Sequence, residues 1–390
     1  MNNEKLIGVG AAGNKAVITA IEMGTIDRSK CLLINSTEKD IPQDYRDIAC
    51  IIGNVSGAGK ESKLGAQMMK NALDEQEELF GLLQDFLSEN DDSIIIVHSD
   101  KGGTGCGGAP VLSDFIQENI GITVHEFVLM GDNSDARGLS NTIGLFKQFR
   151  PEYVVHTLSN AKFSEEANGN KVMAEQLCNK VFAEQVSIIS GSILREGSQN
   201  IDDTDHFKLI NNPGYTLIET SVIGRDIKTK EQLDKLLAET LRNTKSIDIE
   251  TPACRRIGII WTVTEATKSI IDYDYKAIKA ITGEPYEVFE HIQEPLDDKQ
   301  TVTIVVAGLK LPLKEMLDTY EEYKKISSNV NKDADSFYDE LNSLSIEDDE
   351  FNVKTTPKSK FFNKKSQPKQ QQKPTTADQQ MQAVLRKVQE

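Results

Sequence analysis

Two glycine-rich turns hold the chemistry this sequence can do. Residues 101–110 read KGGTGCGGAP directly after the apolar run 94–97, IIIV. Gly102, Gly103, Thr104, Gly105, Cys106 and Gly107 therefore lie between a strand and a helix. Small residues there leave backbone N–H groups bare, which suits a polyphosphate. A second turn, Gly8-Val9-Gly10-Ala11-Ala12-Gly13, follows the first apolar run of the chain. Two such turns, about ninety residues apart, point to a nucleotide gripped from both sides.

Two better-known phosphate sites fit less well. Gly8, Gly10 and Gly13 match the GxGxxG of dinucleotide-binding oxidoreductases, which want an acid at the end of the second strand to bond the ribose. Here that strand ends at Asn35, and the next acid, Glu38, lies past the turn. Residues 53–60, GNVSGAGK, nearly form a Walker A loop, but the spacing is one residue out. Glu61 stands where a Mg2+-binding hydroxyl belongs. Gly57, Ala58 and Gly59 still read as a loop that can approach phosphates closely.

The elements that must position these turns alternate in type. Apolar runs at 5–9, 31–35, 49–52, 94–97, 123–130 and 153–156 are mostly separated by helical segments such as 60–87. That pattern predicts a parallel α/β sheet covered on both faces. From Asn170 to about Arg195, Val172, Met173, Leu177, Val181 and Phe182 recur at helical spacing and predict one long helix. After a polar stretch at 200–214, strands near 215–223, 257–263, 286–292 and 301–306 alternate with helices near 230–242, 273–280 and 313–326. They predict a smaller mixed-sheet domain joined to the first by that helix.

Composition narrows the function. The chain has 390 residues and a formal net charge of −17, which argues against a body lying on DNA or an anionic membrane. Five scattered cysteines (31, 50, 106, 178 and 254) without CxxC spacing suggest reduced thiols and no zinc site. No apolar run reaches membrane-spanning length and no signal peptide is evident, so a cytoplasmic protein is expected.

Taken in order, the motifs resemble the tubulin/FtsZ superfamily over about residues 4–325. Residues 102–110 resemble its phosphate loop, 8–14 its first loop, Asn35 its second, and 57–59 its third. The resemblance implies a Rossmann-like parallel-sheet GTP-binding domain (1–169), a core helix (170–198), an α+β activation domain (199–326) and a tail (327–390). It implies GTP and GDP as ligands, with Mg2+ carried by the nucleotide. It assigns the phosphates to Gly8, Gly10, Ala11, Ala12, Gly13, Gly57, Ala58, Gly59 and residues 102–107. Asn14, Asn160 and Asn179 fall to the guanine, whose edge a side-chain amide can both accept from and donate to. The aromatic expected before Asn179 is replaced by Leu177 and Cys178. Asn200, Asp202 and Asp205 resemble the acidic loop that one subunit inserts into the next subunit's site. Read alone, the same acids are a helix cap. Lys101 stands where the family's first glycine belongs, and Cys106 where Ser, Thr or Ala does. Lys101 is read as added charge near the phosphates.

The tail separates the branches of the superfamily. Residues 333–350 hold eight acids and no base; residues 351–390 hold nine bases and two acids. Such composition predicts disorder. Met381, Val384, Leu385 and Val388 form a helical stripe at its end. The basic ending and the segment 304–312, IVVAGLKLP, resemble TubZ, the plasmid and phage segregation tubulin, more than the division protein FtsZ. That resemblance implies filaments of the chain itself, a small DNA-binding adaptor on the tail, mostly indirect DNA contact and no membrane partner.

Overall fold

The computed structural model describes residues 4–53, 57–88, 90, 91, 93–132 and 135–327. The expectations for residues 328–390 lie outside that set.

Among the described residues, ten strands form one sheet in the order β3-β2-β1-β4-β5-β6-β7-β10-β8-β9. The first half comprises β1 (Lys5–Val9), β2 (Cys31–Asn35), β3 (Ala49–Ile51), β4 (Ser93–Ser99), β5 (Thr123–Met130) and β6 (Val154–Ser159), all parallel. Their near-continuous apolar sequences suit burial on both faces: Ile94, Ile95, Ile96 and Val97 are all inaccessible to solvent. One face is covered by α1 (Gly10–Glu22); the other by α2 (Ser62–Ala72), α3 (Glu78–Phe86), α4 (Thr104–Asn119) and α5 (Ala136–Phe146). Parallel strands put every loop that follows a strand at one edge of the sheet, so the glycine turns after β1 and β4 become neighbours.

The long helix, α6 (Lys171–Ile189), packs beside α1. It is shorter than its sequence suggests, because Ser190 caps it and Gly191 turns left-handed at φ +68°. Its buried face is also rotated. Val172 and Met173 are exposed, while Ala174, Cys178 and Phe182 face inward. The small Ala174 and Cys178 allow α1 to come close, and Phe182 meets Phe127 edge-on at 4.7 Å.

The second half begins with α7 (Asp203–Ile210). Strands β7 (Gly214–Ile223), β8 (Arg256–Thr262), β9 (Glu287–Gln293) and β10 (Gln300–Leu309) follow, with helices α8 (Lys230–Arg242), α9 (Glu265–Lys268), α10 (Lys276–Thr282) and α11 (Leu313–Ile326). It is mixed, as expected: β10 runs antiparallel to β7 and β8, and β9 is parallel to β8. The helix is not the sole link to the first half, however. β7 also joins β6 through the pairs Val154–Gly214 and Val155–Tyr215, after which the two strands diverge. Gly214 makes that junction possible: its φ is +111°, and its N–H donates to the Tyr153 carbonyl at 2.9 Å.

Glu219 is buried on β7 beyond this divergence. Burial pushes its carboxyl up to about 7, against hydrogen bonds from Thr244 Oγ1 (2.5 Å) and the Lys245 N–H (2.9 Å). A carboxyl whose pKa is raised by folding stabilises the fold while protonated. That contribution is complete below the ordinary carboxylate value of 4.5 and disappears as pH rises through about 7. We expect this group to take about 3 kcal/mol of stability away between those limits. Urea denaturation of the wild type and Glu219→Gln at stepped pH checks it: the variant's profile should be flatter, and parallel profiles would refute the assignment.

Candidate functional site

Two helices start at the same place. α1 begins at Gly10 with Val9 as its N-cap, α4 begins at Thr104 with Gly103 as its N-cap, and neither has a side-chain cap or an acid in its first turn. Their first-turn N–H groups remain available, and both helix dipoles present positive ends. The two starts can touch because Gly10 and Gly105 carry no side chain where they meet. Gly10 has φ +77°, and a Cβ on it would stand 2.9 Å from the Gly105 nitrogen.

Between them opens a cavity of about 420 Å3. Gly10, Ala11 and Ala12 line one side, residues 102–105 another, and Gly57, Ala58 and Gly59 a third. The loop after β2 closes it with Asn35, Ser36, Thr37, Lys39 and Asp40. Concave shape, bare N–H groups and adequate volume make this an anion-binding pocket of ligand size. A second cavity, of about 330 Å3, lies between α6, β7 and α8 beside Glu184 and Glu219. It has no glycine turn and is lined by three acids, Glu184, Glu219 and Glu239, so it is not the anion site.

Several residues read as phosphate ligands instead hold the walls together. A Cβ at Gly13 would overlap the Val97 carbonyl oxygen, so this glycine seats α1 against β4. Gly8 makes room for Asn14, whose Nδ2 donates to the Ile34 carbonyl at 3.3 Å. Asn14 is fully buried between β1 and β2. Gly107 donates its N–H to Gly103 O, and its Cα meets the Ser62 carbonyl where α2 crosses α4. Cys106 is fully buried and donates its thiol to Asn141 O at 3.3 Å; burial pushes its pKa up. Gly8, Gly13, Asn14, Cys106 and Gly107 do not line the cavity. The Thr104 hydroxyl does line it but is shared with Ser36 Oγ at 2.6 Å.

Lys101 is also placed differently from its reading as charge at the phosphates. Its ammonium pairs with the fully buried Asp100 at 3.0 Å and donates to Thr142 Oγ1 at 2.8 Å, and Lys101 is not among the residues lining the cavity. Lys60, the near-Walker lysine, pairs with Asp135 at 3.1 Å. Sequence reasoning missed Asn141 and Thr142. They look like surface polar residues of an ordinary helix, and both are buried.

Asn160 and Asn179 are half-buried and lie outside the cavity lining, on its α1 side. Asn160 opens the turn after β6; Asn179 lies one turn beyond Glu175, whose carboxylate reaches Lys15 of α1 at 3.8 Å. The acidic turn is at the opposite end of α6. Lys171 at the helix start pairs with Asp132, just past β5, at 2.8 Å. The 19 residues of α6 carry the chain about 28 Å along the helix axis, and Asn200 lines a hollow with Ser190 and Gly191 at its far end. There Asp202 caps α7 by accepting the Asp205 N–H at 2.8 Å, Asp205 pairs with Lys208 at 3.1 Å, and Asn200 closes a turn on Gly197. One α6 length therefore separates the acids from their own chain's cavity.

Mg2+ fits this site only as a companion of phosphate. Asp40 is the one carboxylate in the described lining, and no cluster of three metal-ligating side chains occurs among the described residues. Also among these residues, all five cysteines are free and buried, and no helix is long and apolar enough to cross a membrane.

This is the fold of the CetZ, TubZ and FtsZ proteins. TubZ, CetZ and FtsZ proteins are all structural neighbours of the chain. The Haloferax volcanii CetZ2 protofilament, solved with GTPγS, superposes with a TM-score of 0.67 at 19% identity, covering 83% of this chain and 99% of that one. The tail-truncated TubZ of Clostridium botulinum phage c-st gives 0.65 at 20% identity, covering 83% and 98%. In sequence, the chain is 25% identical over 303 residues to cell division protein FtsZ 1 of Pyrococcus furiosus, covering 76% and 74%. No protein-family model matches the chain.

Removing the Lys101 ammonium leaves Asp100 buried without that ion pair, which typically costs about 3–5 kcal/mol. Lys101→Met should therefore lower the urea midpoint strongly, and Asp100→Asn added to it should restore part of the loss. An unchanged midpoint would return the ammonium to the phosphate side.

Proposed function

We propose that this chain binds GTP in the α1–α4 cavity and polymerises head to tail. One subunit's Asn200, Asp202 and Asp205 then complete the next subunit's site. What carries the reading is one pairing of observations: two uncapped helix starts meet at the cavity, and the acidic turn lies an α6 length away in the same chain. An acid that cannot reach its own cavity can reach a neighbour's when subunits stack along α6.

The roles follow from chemistry. N–H groups of Gly10, Ala11, Ala12, Gly57, Ala58, Gly59 and residues 102–105 hold the phosphates, supported by both helix dipoles. Asn160 and Asn179 read guanine on the α1 side of the cavity. Asp40 and Asn35 would face a Mg2+ ion, which supplies charge neutralisation to the bound phosphates. The partner's Asp202 and Asp205 accept hydrogen bonds from a water and orient it toward the terminal phosphorus. The new bond is water oxygen to phosphorus, the broken one is phosphorus to the bridging oxygen, and the products are GDP and phosphate. Asp202 spends one oxygen on its own helix cap, which keeps the other available to water.

Hydrolysis that waits for assembly makes the filament age, with older subunits holding GDP. We assign this ageing filament to moving plasmid or phage DNA, with an adaptor grasping the basic tail. Support comes from the tail's charge and from TubZ among the structural neighbours. The second reading is a division GTPase, favoured by the FtsZ relatives in sequence.

Phosphate release measured against protein concentration tests the site. The rate per subunit should rise steeply above a threshold with GTP and not with ATP; a flat rate would remove the shared site. Asp202→Ala should cut that rate at least about 100-fold while still binding GTP; an unchanged rate would remove the acid's role. Deleting residues 352–390 should leave filaments intact and abolish recruitment of partner or DNA. Loss of filaments would separate the tail from cargo handling.

A further inference from the structure

Asn141 occupies an unusual position for a helical side chain. It lies on α5, is 4% exposed, and directs its amide nitrogen at three backbone carbonyls. Nδ2 donates to Lys60 O at 3.0 Å, Lys101 O at 3.1 Å and Gly102 O at 3.3 Å. Lys60 ends the loop that carries Gly57, Ala58 and Gly59; Lys101 and Gly102 begin the turn into α4. These loops form two walls of the cavity and come from distant parts of the chain. The neighbouring Thr142 bonds Asp100 Oδ2 at 2.8 Å, and Asp100 Oδ1 accepts the Gly131 N–H at 2.8 Å. α5 is thus fastened to the turn by two consecutive side chains; of these two only Asn141 also reaches the other loop, which α5 meets at its exposed side through the Lys60–Asp135 and Arg137–Glu61 pairs.

We propose that Asn141 is a positioning residue that sets the gap between the two loops, and with it the fit of the nucleotide's outer phosphates. This rests on the GTP-binding reading above. The amide has only two N–H groups for three carbonyls, so it draws the carbonyls together at one point. A carbonyl facing the amide keeps the N–H of the same peptide turned the other way. For Lys101 and Gly102 these are the N–H groups of Gly102 and Gly103, both residues of the lining. For Lys60 it is that of Glu61, which donates to the Ala58 carbonyl at 2.9 Å and closes the other loop on itself. Lys60 itself sits at φ +62°, a left-handed conformation that a non-glycine residue holds only when its surroundings fix it. On the proposed orientation the guanine lies by α1 and α6, which puts the outer phosphates beside Gly57, Ala58 and Gly59. Asn141 therefore acts on the triphosphate more than on the diphosphate.

The test compares the full-length wild type, Asn141→Ala and the milder Asn141→Ser, which keeps one donor. Two readouts are needed: affinity for fluorescent GTP and GDP, and backbone hydrogen exchange without nucleotide. Asn141→Ala should weaken GTP about tenfold and GDP less than threefold, with Asn141→Ser between. Exchange should quicken in residues 57–61 and 100–104 while the strands stay protected. Equal loss of GTP and GDP, or unchanged loop exchange, would overturn the proposal. If Asn141→Ala loses protection throughout, the folded Asn141→Ser decides by the same two criteria. A wild type that binds no guanine nucleotide would defeat the GTP reading alone, because the exchange arm needs no ligand.

Discussion

The near-contact of Gly10 with Gly105 is the constraint on which the rest of the site depends. Two helix starts, each with unpaired N–H groups, repel one another electrostatically and gain nothing from mutual contact. They are held together by the sheet: β1 and β4 are neighbours, and each hands its chain to a helix at the same edge. The result is a concentrated positive field that no side chain of the two helices neutralises. An anion resolves that frustration, so the fold carries a standing demand for its ligand.

Around that demand the structure separates holding from binding. Gly13, Asn14, Cys106 and Gly107 keep α1, α2, α4 and the strands at close range, while residues 10–12 and 102–105 face the cavity. The side chains with the strongest charges near the turn, Lys60 and Lys101, are engaged with Asp135 and Asp100. What the described lining offers an anion is turn backbone, which costs no side-chain entropy to order, together with Lys39. A chain with a net charge of −17 can in this way present an attractive pocket to a phosphate with a single lysine in its described lining.

Much of this was legible before any coordinates. Continuous apolar runs gave strands with nearly the observed limits, because parallel strands buried on both faces have no alternation to blur them. α8 and α11 match their predicted bounds, since each has a clear amphipathic face. That the glycine turns line one cavity was readable, because small residues after neighbouring parallel strands must meet at one edge of the sheet. What sequence could not convey is which glycine faces a ligand and which faces a neighbouring helix: Gly105 and Gly107 look alike and serve different ends. Asn141 was invisible for the same reason. A polar residue in a helix reads as solvated until tertiary contacts bury it. The periodicity of α6 misled by one position, because Ala174 and Cys178 contribute little hydrophobicity and much closeness.

The narrow seam between β6 and β7 has a mechanical meaning. Seven residue pairs register β4 with β5, and two register β6 with β7. Beyond those two pairs the sheet parts, and the halves of the molecule are joined on both faces: α6 packs on α1, and α11 packs on α5. The segment after α8 also bonds back to β6, its Lys245 carbonyl accepting the Ser159 N–H at 2.9 Å and its Ile247 N–H donating to Thr157 Oγ1 at 3.1 Å. Load passing from one half to the other is therefore shared among separate paths and does not rest on the thin seam alone.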